Sequence, residues 1–167
     1  MKLKPIGVIR SPFTKPAGTP IQPAFAQGAQ GTVEVFDKYA AGLKDLDGFD
    51  RIWLLYWFDR VTQVNLSVKP FLDSVERGLF ATRAPCRPNP IGISCVRLLS
   101  VEKNVLHVAE LDILDGTPLI DIKPYAPRFD VYPVEHSGWL DSVEPQKPAD
   151  DGRFTHRDDE RPDVRWV

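Results

Sequence analysis

The sequence predicts a mainly β fold: a small β-barrel with one or two short helices and a charged C-terminal tail. Three observations carry that prediction. About six short apolar stretches follow one another, separated by turns rich in glycine and proline. No long helical pattern alternates with them, as a doubly wound sheet would require. The 167 residues are 43% hydrophobic and 26% charged, enough for a single core, and from Pro145 onward the balance shifts to Asp, Arg, Lys and Pro. The expected organisation is therefore a barrel domain over residues 1–144 and a charged, flexible tail over 145–167. Such a tail cannot bury enough apolar surface to fold alone. Phe154 is the one large apolar residue of its stretch 146–163, and Trp166 with Val167 can dock back on a surface.

Taken in order, Lys4 to Arg10 reads as a first strand that stops at Ser11-Pro12. Residues 11–31 form a long Pro- and Gly-rich loop, a length that usually signals function or disorder. Val33 and Val35 alternate with polar residues over Gly31 to Phe36, giving a second strand. Tyr39, Leu43 and Leu46 recur at helical spacing, with Asp37 placed to cap, so a helix is expected over Asp37–Leu46. The aromatic, apolar run Arg51 to Phe58 is too short for a helix of this kind and reads as a buried strand. Gly78 to Thr82 reads as a short strand. Ile91–Glu102 and Val105–Leu114 form a hairpin turning at Lys103-Asn104. On its second strand Val105, His107, Ala109, Leu111 and Ile113 share one face, which makes His107 a core residue rather than a ligand. Asp115-Gly116-Thr117-Pro118 then turns into a last strand over Leu119–Lys123.

Chemistry concentrates in the stretch Ala81 to Ser94. Arg83 and Arg87 are permanent cations with planar donor forks. Pro85, Pro88 and Pro90 stiffen the chain between and beyond them. Arginines held this way suit a carboxylate, a phosphate or an adenine-bearing cofactor; a rigid connector with two solvated arginines fits the residues equally well. Two further polar clusters stand at strand ends, Asp59-Arg60 and the run Asp112 to Asp121. Asp115 is also an ordinary turn residue before glycine. Net charge is −2, from 21 basic and 23 acidic residues, so no global basic field points to nucleic acid. Cys86 and Cys95 fit neither a zinc ribbon nor a redox pair, and a thiolate at Cys86 would be favoured by its flanking arginines. The three histidines are isolated and no metal-ligand spacing is present. With no signal-peptide pattern and no apolar run near the roughly 20 residues a bilayer requires, a cytoplasmic protein without a membrane partner is expected.

These motifs, in this order, resemble the TsaA-like family. The resemblance rests on Arg10-Ser11-Pro12-Phe13, Pro20-Ile21-Gln22, the segment Leu46 to Phe58, the string Phe80-Ala81-Thr82-Arg83 through Arg87-Pro88-Asn89-Pro90-Ile91-Gly92, and Asp115-Gly116-Thr117-Pro118 followed by Asp121 to Tyr125. It implies a β-barrel homodimer that binds S-adenosylmethionine without a Rossmann fold. It also implies a reaction, N6-methylation of the threonylcarbamoyl-adenosine beside the anticodon of a threonine tRNA. Cofactor contacts carry over to Pro20, Ile21, Gln22, Asp59, Arg60, Arg83, Ile93, Asp112, Ile113, Leu114 and Asp115. Arg87, Asn89, Lys123 and Tyr125 become candidates to meet the RNA, and Asp115 becomes a candidate base. Two competing readings accompany this one: a regulatory or interaction module that binds the cofactor without methylating RNA, and a methyltransferase on another substrate.

Overall fold

Alternating burial along six strands closes one antiparallel sheet into a barrel. The computed structural model describes residues 3–143 and 149–154. The barrel strands are β1 (Gly7–Arg10), β2 (Gln30–Val35), β3 (Arg51–Trp57), β6 (Ile91–Glu102), β7 (Val105–Ala109) and β8 (Thr117–Pro124). Around the ring they run β1-β2-β7-β6-β3-β8. Two very short strands, β4 (Ser67–Val68) and β5 (Arg77–Gly78), pair separately within the long segment between β3 and β6.

The aromatic run in β3 shows how sequence sets the wall. Ile52, Leu54 and Tyr56 point inward and are buried, while Trp53, Leu55 and Trp57 take the outer face. The two-residue period of a strand imposes this division. Ile9, Val33, Val96, Leu106, Val108 and Leu119 meet them inside and are fully shielded from water. A second small core forms beneath the β3–β6 segment, where Val68, Leu79, Ala84 and Cys86 pack with Val61 and Phe154.

Three local expectations are corrected. Residues 37–46 do not form an α-helix: Asp37–Leu43 and Leu46–Gly48 are 3-10 turns, and the backbone at Asp45 is left-handed (φ 65°) between them. Asp37 caps nothing, and its carboxylate accepts from Asn104 Nδ2 at 3.1 Å. The strand expected over Gly78–Thr82 is instead the end of β5 followed by a 3-10 turn at Leu79–Ala81. In β7 the inward face is Leu106 and Val108, so His107 faces outward, its side chain 41% exposed and 3.7 Å from the Glu102 carboxylate. Alternation changes phase at Glu110, whose left-handed backbone (φ 61°) ends the strand and turns Leu111 and Ile113 into the core. Arg51 Nη2 holds the Glu110 carboxylate at 2.7 Å, fixing that turn.

The described part of the C-terminal stretch lies against the barrel. Ala149 forms a β-bridge with Pro20. Asp150 N–H donates to the Thr19 carbonyl, and Gly18 N–H donates to the Asp150 carbonyl, both at 2.8 Å. Phe154 meets the Phe71 ring edge-on at 5.1 Å. The expected docking of Trp166 and Val167 lies outside the described residues.

Candidate functional site

Chain segments far apart in sequence converge on a cavity of about 650 Å³ at one end of the barrel. The loop before β2 supplies Pro20, Ile21 and Gln22. The end of β3 supplies Tyr56, Phe58, Asp59 and Arg60. The proline-stiffened loop supplies Arg83 and Arg87, the start of β6 supplies Gly92 and Ile93, and the turn before β8 supplies Asp112, Ile113 and Leu114. The volume lies within the range of small-molecule and cofactor sites.

Arg83 Nη1 donates to Gln22 Oε1 at 2.6 Å, tying the first loop to the arginine loop. Arg60 reaches across the mouth, donating to the Thr14 carbonyl at 3.1 Å and to the Asp115 carbonyl at 2.6 Å. Arg87 turns back on its own loop: Nη1 donates to the Thr82 carbonyl at 3.1 Å, and the guanidinium lies 5.5 Å from the Phe80 ring centre. The stiffness inferred from the prolines is therefore completed by an arginine that braces the loop.

The floor is built around Gly92. A Cβ there would lie 2.2 Å from the Tyr56 ring, so only glycine admits this ring. Tyr56 is 5% exposed, meets Phe58 edge-on at 5.2 Å, and its hydroxyl lies 3.1 Å from Ser94 Oγ. Burial pushes the Tyr56 phenol far up, so it keeps its proton. Burial also pushes the Asp112 carboxyl up to about 7, against a hydrogen bond from Ser94 and the nearby charge of Arg83. Asp112 Oδ1 is sealed from solvent and has no hydrogen-bond partner among the described residues.

Four of the residues singled out from sequence stand elsewhere. Asp115 does not line the cavity; its Oδ1 accepts from Ser11 N–H at 3.2 Å, and its own N–H donates to the Phe13 carbonyl at 2.7 Å. Lys123 pairs with Asp121 at 2.9 Å, and Tyr125 packs 5.9 Å from Trp53 on the outer face of the wall. Asn89 is exposed in the loop before β6. Cys86, where flanking arginines would favour a thiolate, is instead 2% exposed with its thiol pushed up by burial, which makes it a packing residue.

The family model for the tRNA-methyltransferase O N-terminal domain matches residues 8–131. The chain belongs to this family. A probable S-adenosyl-L-methionine-binding protein of Pyrococcus abyssi is 50% identical over 153 residues, 90% of this chain and 83% of that one. The tRNA (adenine(37)-N6)-methyltransferase of Escherichia coli is 34% identical, over 83% of this chain and 63% of that one. The crystal structure of TrmO from Pseudomonas aeruginosa superposes with a TM-score of 0.71 at 38% identity, covering 85% of this chain and 62% of that one. The chain thus spans under two thirds of the length of the TrmO chains solved in crystals.

Seen as a TrmO N-terminal domain, the protein draws part of its cavity from beyond the matched region. Trp139, Leu140, Asp150 and Phe154 all line it. Trp139 Nε1 donates to the Ala81 carbonyl at 2.8 Å. Sequence reasoning missed these, together with Tyr56 and Ser94. Phe154 carried the one usable signal, a lone large apolar residue in a charged stretch.

Proposed function

We propose that this chain binds S-adenosylmethionine in the cavity and methylates N6 of an adenosine beside the anticodon of tRNA, with threonylcarbamoyl-adenosine in threonine tRNA as substrate. The observation that carries this reading is the convergence of the 20–22 loop, the arginine loop and the 112–114 turn on one cavity. All three segments lie inside the region matched by the family. The names of the Escherichia coli and mouse relatives, both tRNA (adenine(37)-N6)-methyltransferases, support the reaction. The names of the archaeal relatives support the cofactor.

The residues fit that cofactor. Arg83, held in place by Gln22, offers a fork suited to an amino-acid carboxylate. Ile93, Ile113, Leu114 and the Phe58 ring give an apolar wall for a purine. Asp59 and Arg60 close the mouth beside them. When bound, the cofactor supplies a methyl group on a positively charged sulfur, which leaves as a neutral thioether. The chain's contribution is positioning and exclusion of water, which lower the barrier by holding the reactants in line. A base in an anticodon loop can be splayed into such a cavity without melting a duplex. Arg87 at the rim is the residue assigned to the threonyl carboxylate; Asn89, Lys123 and Tyr125 are left to loop phosphates outside the cavity. A tRNA substrate implies a cytoplasmic setting.

A second copy of the chain is the proposed partner. Phe129, Tyr132 and Val134 expose about 70% of their surface beyond β8, an apolar face suited to a homodimer. Light scattering at micromolar concentration should give a dimer, and a fully active monomer would refute it.

Labelled S-adenosylmethionine and tRNA from cells lacking the gene test the reaction. The expected product is N6-methylated threonylcarbamoyl-adenosine in threonine tRNA, read by nucleoside mass spectrometry. Cofactor binding without transfer to any RNA would support the other reading, a cofactor-binding module. That reading is favoured by the Pyrococcus abyssi and Archaeoglobus fulgidus relatives, 50% and 47% identical, whose names state binding alone. Transfer to a different nucleoside would overturn the substrate assignment and keep the chemistry.

A further inference from the structure

Methylating N6 requires that its proton leave, and one carboxyl oxygen of a cavity-lining residue is buried without a partner among the described residues. That oxygen is Asp112 Oδ1, shielded from solvent and with no hydrogen-bond donor among the described residues. Leaving a buried acceptor unsatisfied costs about 1–3 kcal/mol. A fold that bears this cost at a cavity wall marks the oxygen as one that meets something else.

Its neighbours fix its orientation. The Tyr56 hydroxyl and Ser94 Oγ lie 3.1 Å apart, and either can donate. A hydrogen bond from Ser94 pulls the Asp112 carboxyl down. Ser94 is 1% exposed. Ser94 therefore touches Tyr56 and acts on Asp112, while Asp112 Oδ1 stays without a partner among the described residues. Arg83, from the arginine loop, is the charged group acting on Asp112, and Tyr56, from β3, is the other titratable group facing it. Asp115, the carboxylate singled out from sequence, is committed to the Ser11 N–H and does not line the cavity.

We propose that Asp112, through Oδ1, accepts the N6 proton during methyl transfer, with Ser94 and Tyr56 as positioning residues. The inference rests on the methyltransferase reading above. The nitrogen lone pair forms the new N–C bond, the C–S electron pair stays on sulfur, and the N6 proton passes to Asp112, leaving a neutral carboxyl that later releases it to solvent. Only the ionised carboxyl can accept, so the rate should rise with pH as Asp112 ionises and then level off.

The test compares wild type, Asp112→Asn and Ser94→Ala. It measures cofactor affinity by calorimetry, single-turnover transfer against pH, and the Asp112 carboxyl titration by carbon NMR. Asp112→Asn should bind cofactor within about threefold of wild type, transfer methyl about 100-fold more slowly or worse, and lose the acid limb. Ser94→Ala should keep an acid limb, moved to higher pH, because the hydrogen bond it removes holds the carboxyl down. Transfer by Asp112→Asn at near wild-type rate would overturn the proposal. So would loss of cofactor affinity in proportion to rate, which marks a mere cofactor contact, or a wild-type carboxyl that titrates like an exposed aspartate. If Asp112→Asn does not fold, an unmoved limb in Ser94→Ala overturns it. Wild type that binds cofactor and transfers no methyl removes the underlying reading, a result distinct from all of these.

Discussion

Gly92→Ala tests the packing that shapes the cavity floor. The added Cβ would lie 2.2 Å from Tyr56 Cε2, 2.4 Å from Cζ and 2.8 Å from Cδ2. Ordinary carbon contacts need about 3.5–4.0 Å, so the ring must retreat by more than 1 Å. A phenol ring has no flexible end to bend aside, and this one is enclosed, with Phe58 against it and its hydroxyl on Ser94. Overpacking of this kind costs about 1–3 kcal/mol. Losing the Tyr56–Ser94 hydrogen bond adds about 1 kcal/mol. The expected destabilisation is therefore about 2–4 kcal/mol, read as a lower denaturant midpoint at constant m-value. Adding Tyr56→Leu should give back much of the loss, because the clash disappears with the ring. A Gly92→Ala protein within about 0.5 kcal/mol of wild type, smaller than most core effects, would refute the reasoning. So would a double variant whose losses simply add.

Other outcomes follow from the same geometry. Asp112 is raised to about 7 in the fold from an ordinary 3.8, so ionising it opposes folding. Its contribution is most favourable below 3.8 and is lost as pH rises toward about 7. At about 1.4 kcal/mol per pH unit this amounts to something on the order of 4 kcal/mol, so denaturant titrations should show wild type losing stability across that window relative to Asp112→Asn. A parallel pair of curves would contradict it. Phe154→Ala removes an edge-on aromatic pair worth about 1 kcal/mol, so the Asp150 amide should exchange several-fold faster by hydrogen-exchange mass spectrometry; unchanged exchange would show that the ring does not anchor the segment. A thiol reagent should modify Cys86 only as the protein unfolds, and rapid labelling of the native thiol would contradict its burial.

Strand positions were legible where burial is regular. The alternation in Val33 and Val35, and the run from Ile91 to Glu102, map directly onto β2 and β6. Errors arose where the backbone leaves the regular regions. Left-handed residues at Asp45 and Glu110 break a helical period and a strand period, and neither aspartate nor glutamate announces that conformation as glycine would. The face assignment in β7 failed for this reason: Leu111 and Ile113 are buried, yet they are out of phase with Leu106 and Val108. At the site, the arginine loop was legible because prolines and guanidiniums carry their chemistry in their covalent structure. The Tyr56–Ser94 contact was not, since it depends on β3 and β6 lying in register, Tyr56 opposite Gly92 and Leu54 opposite Ser94. Trp139 was not legible because the carbonyl it meets, that of Ala81, is remote in sequence.

The ring order has a consequence for how the protein is made. β8 sits between β1 and β3, pairing Gly7 with Leu119 and Trp53 with Lys123. A nascent chain can zip β1 to β2, and later β6 to β7, but both β1 and β3 keep an open edge until residues 117–124 emerge from the ribosome. Exposed strand edges are templates for pairing with other chains. Closure also waits on contacts across more than a hundred residues, the slow kind. The cavity is incomplete even then, because Trp139, Asp150 and Phe154 follow β8 in the chain, so ligand cannot assist the early steps of synthesis. Chaperone demand should concentrate in the interval between the emergence of β3 and that of β8.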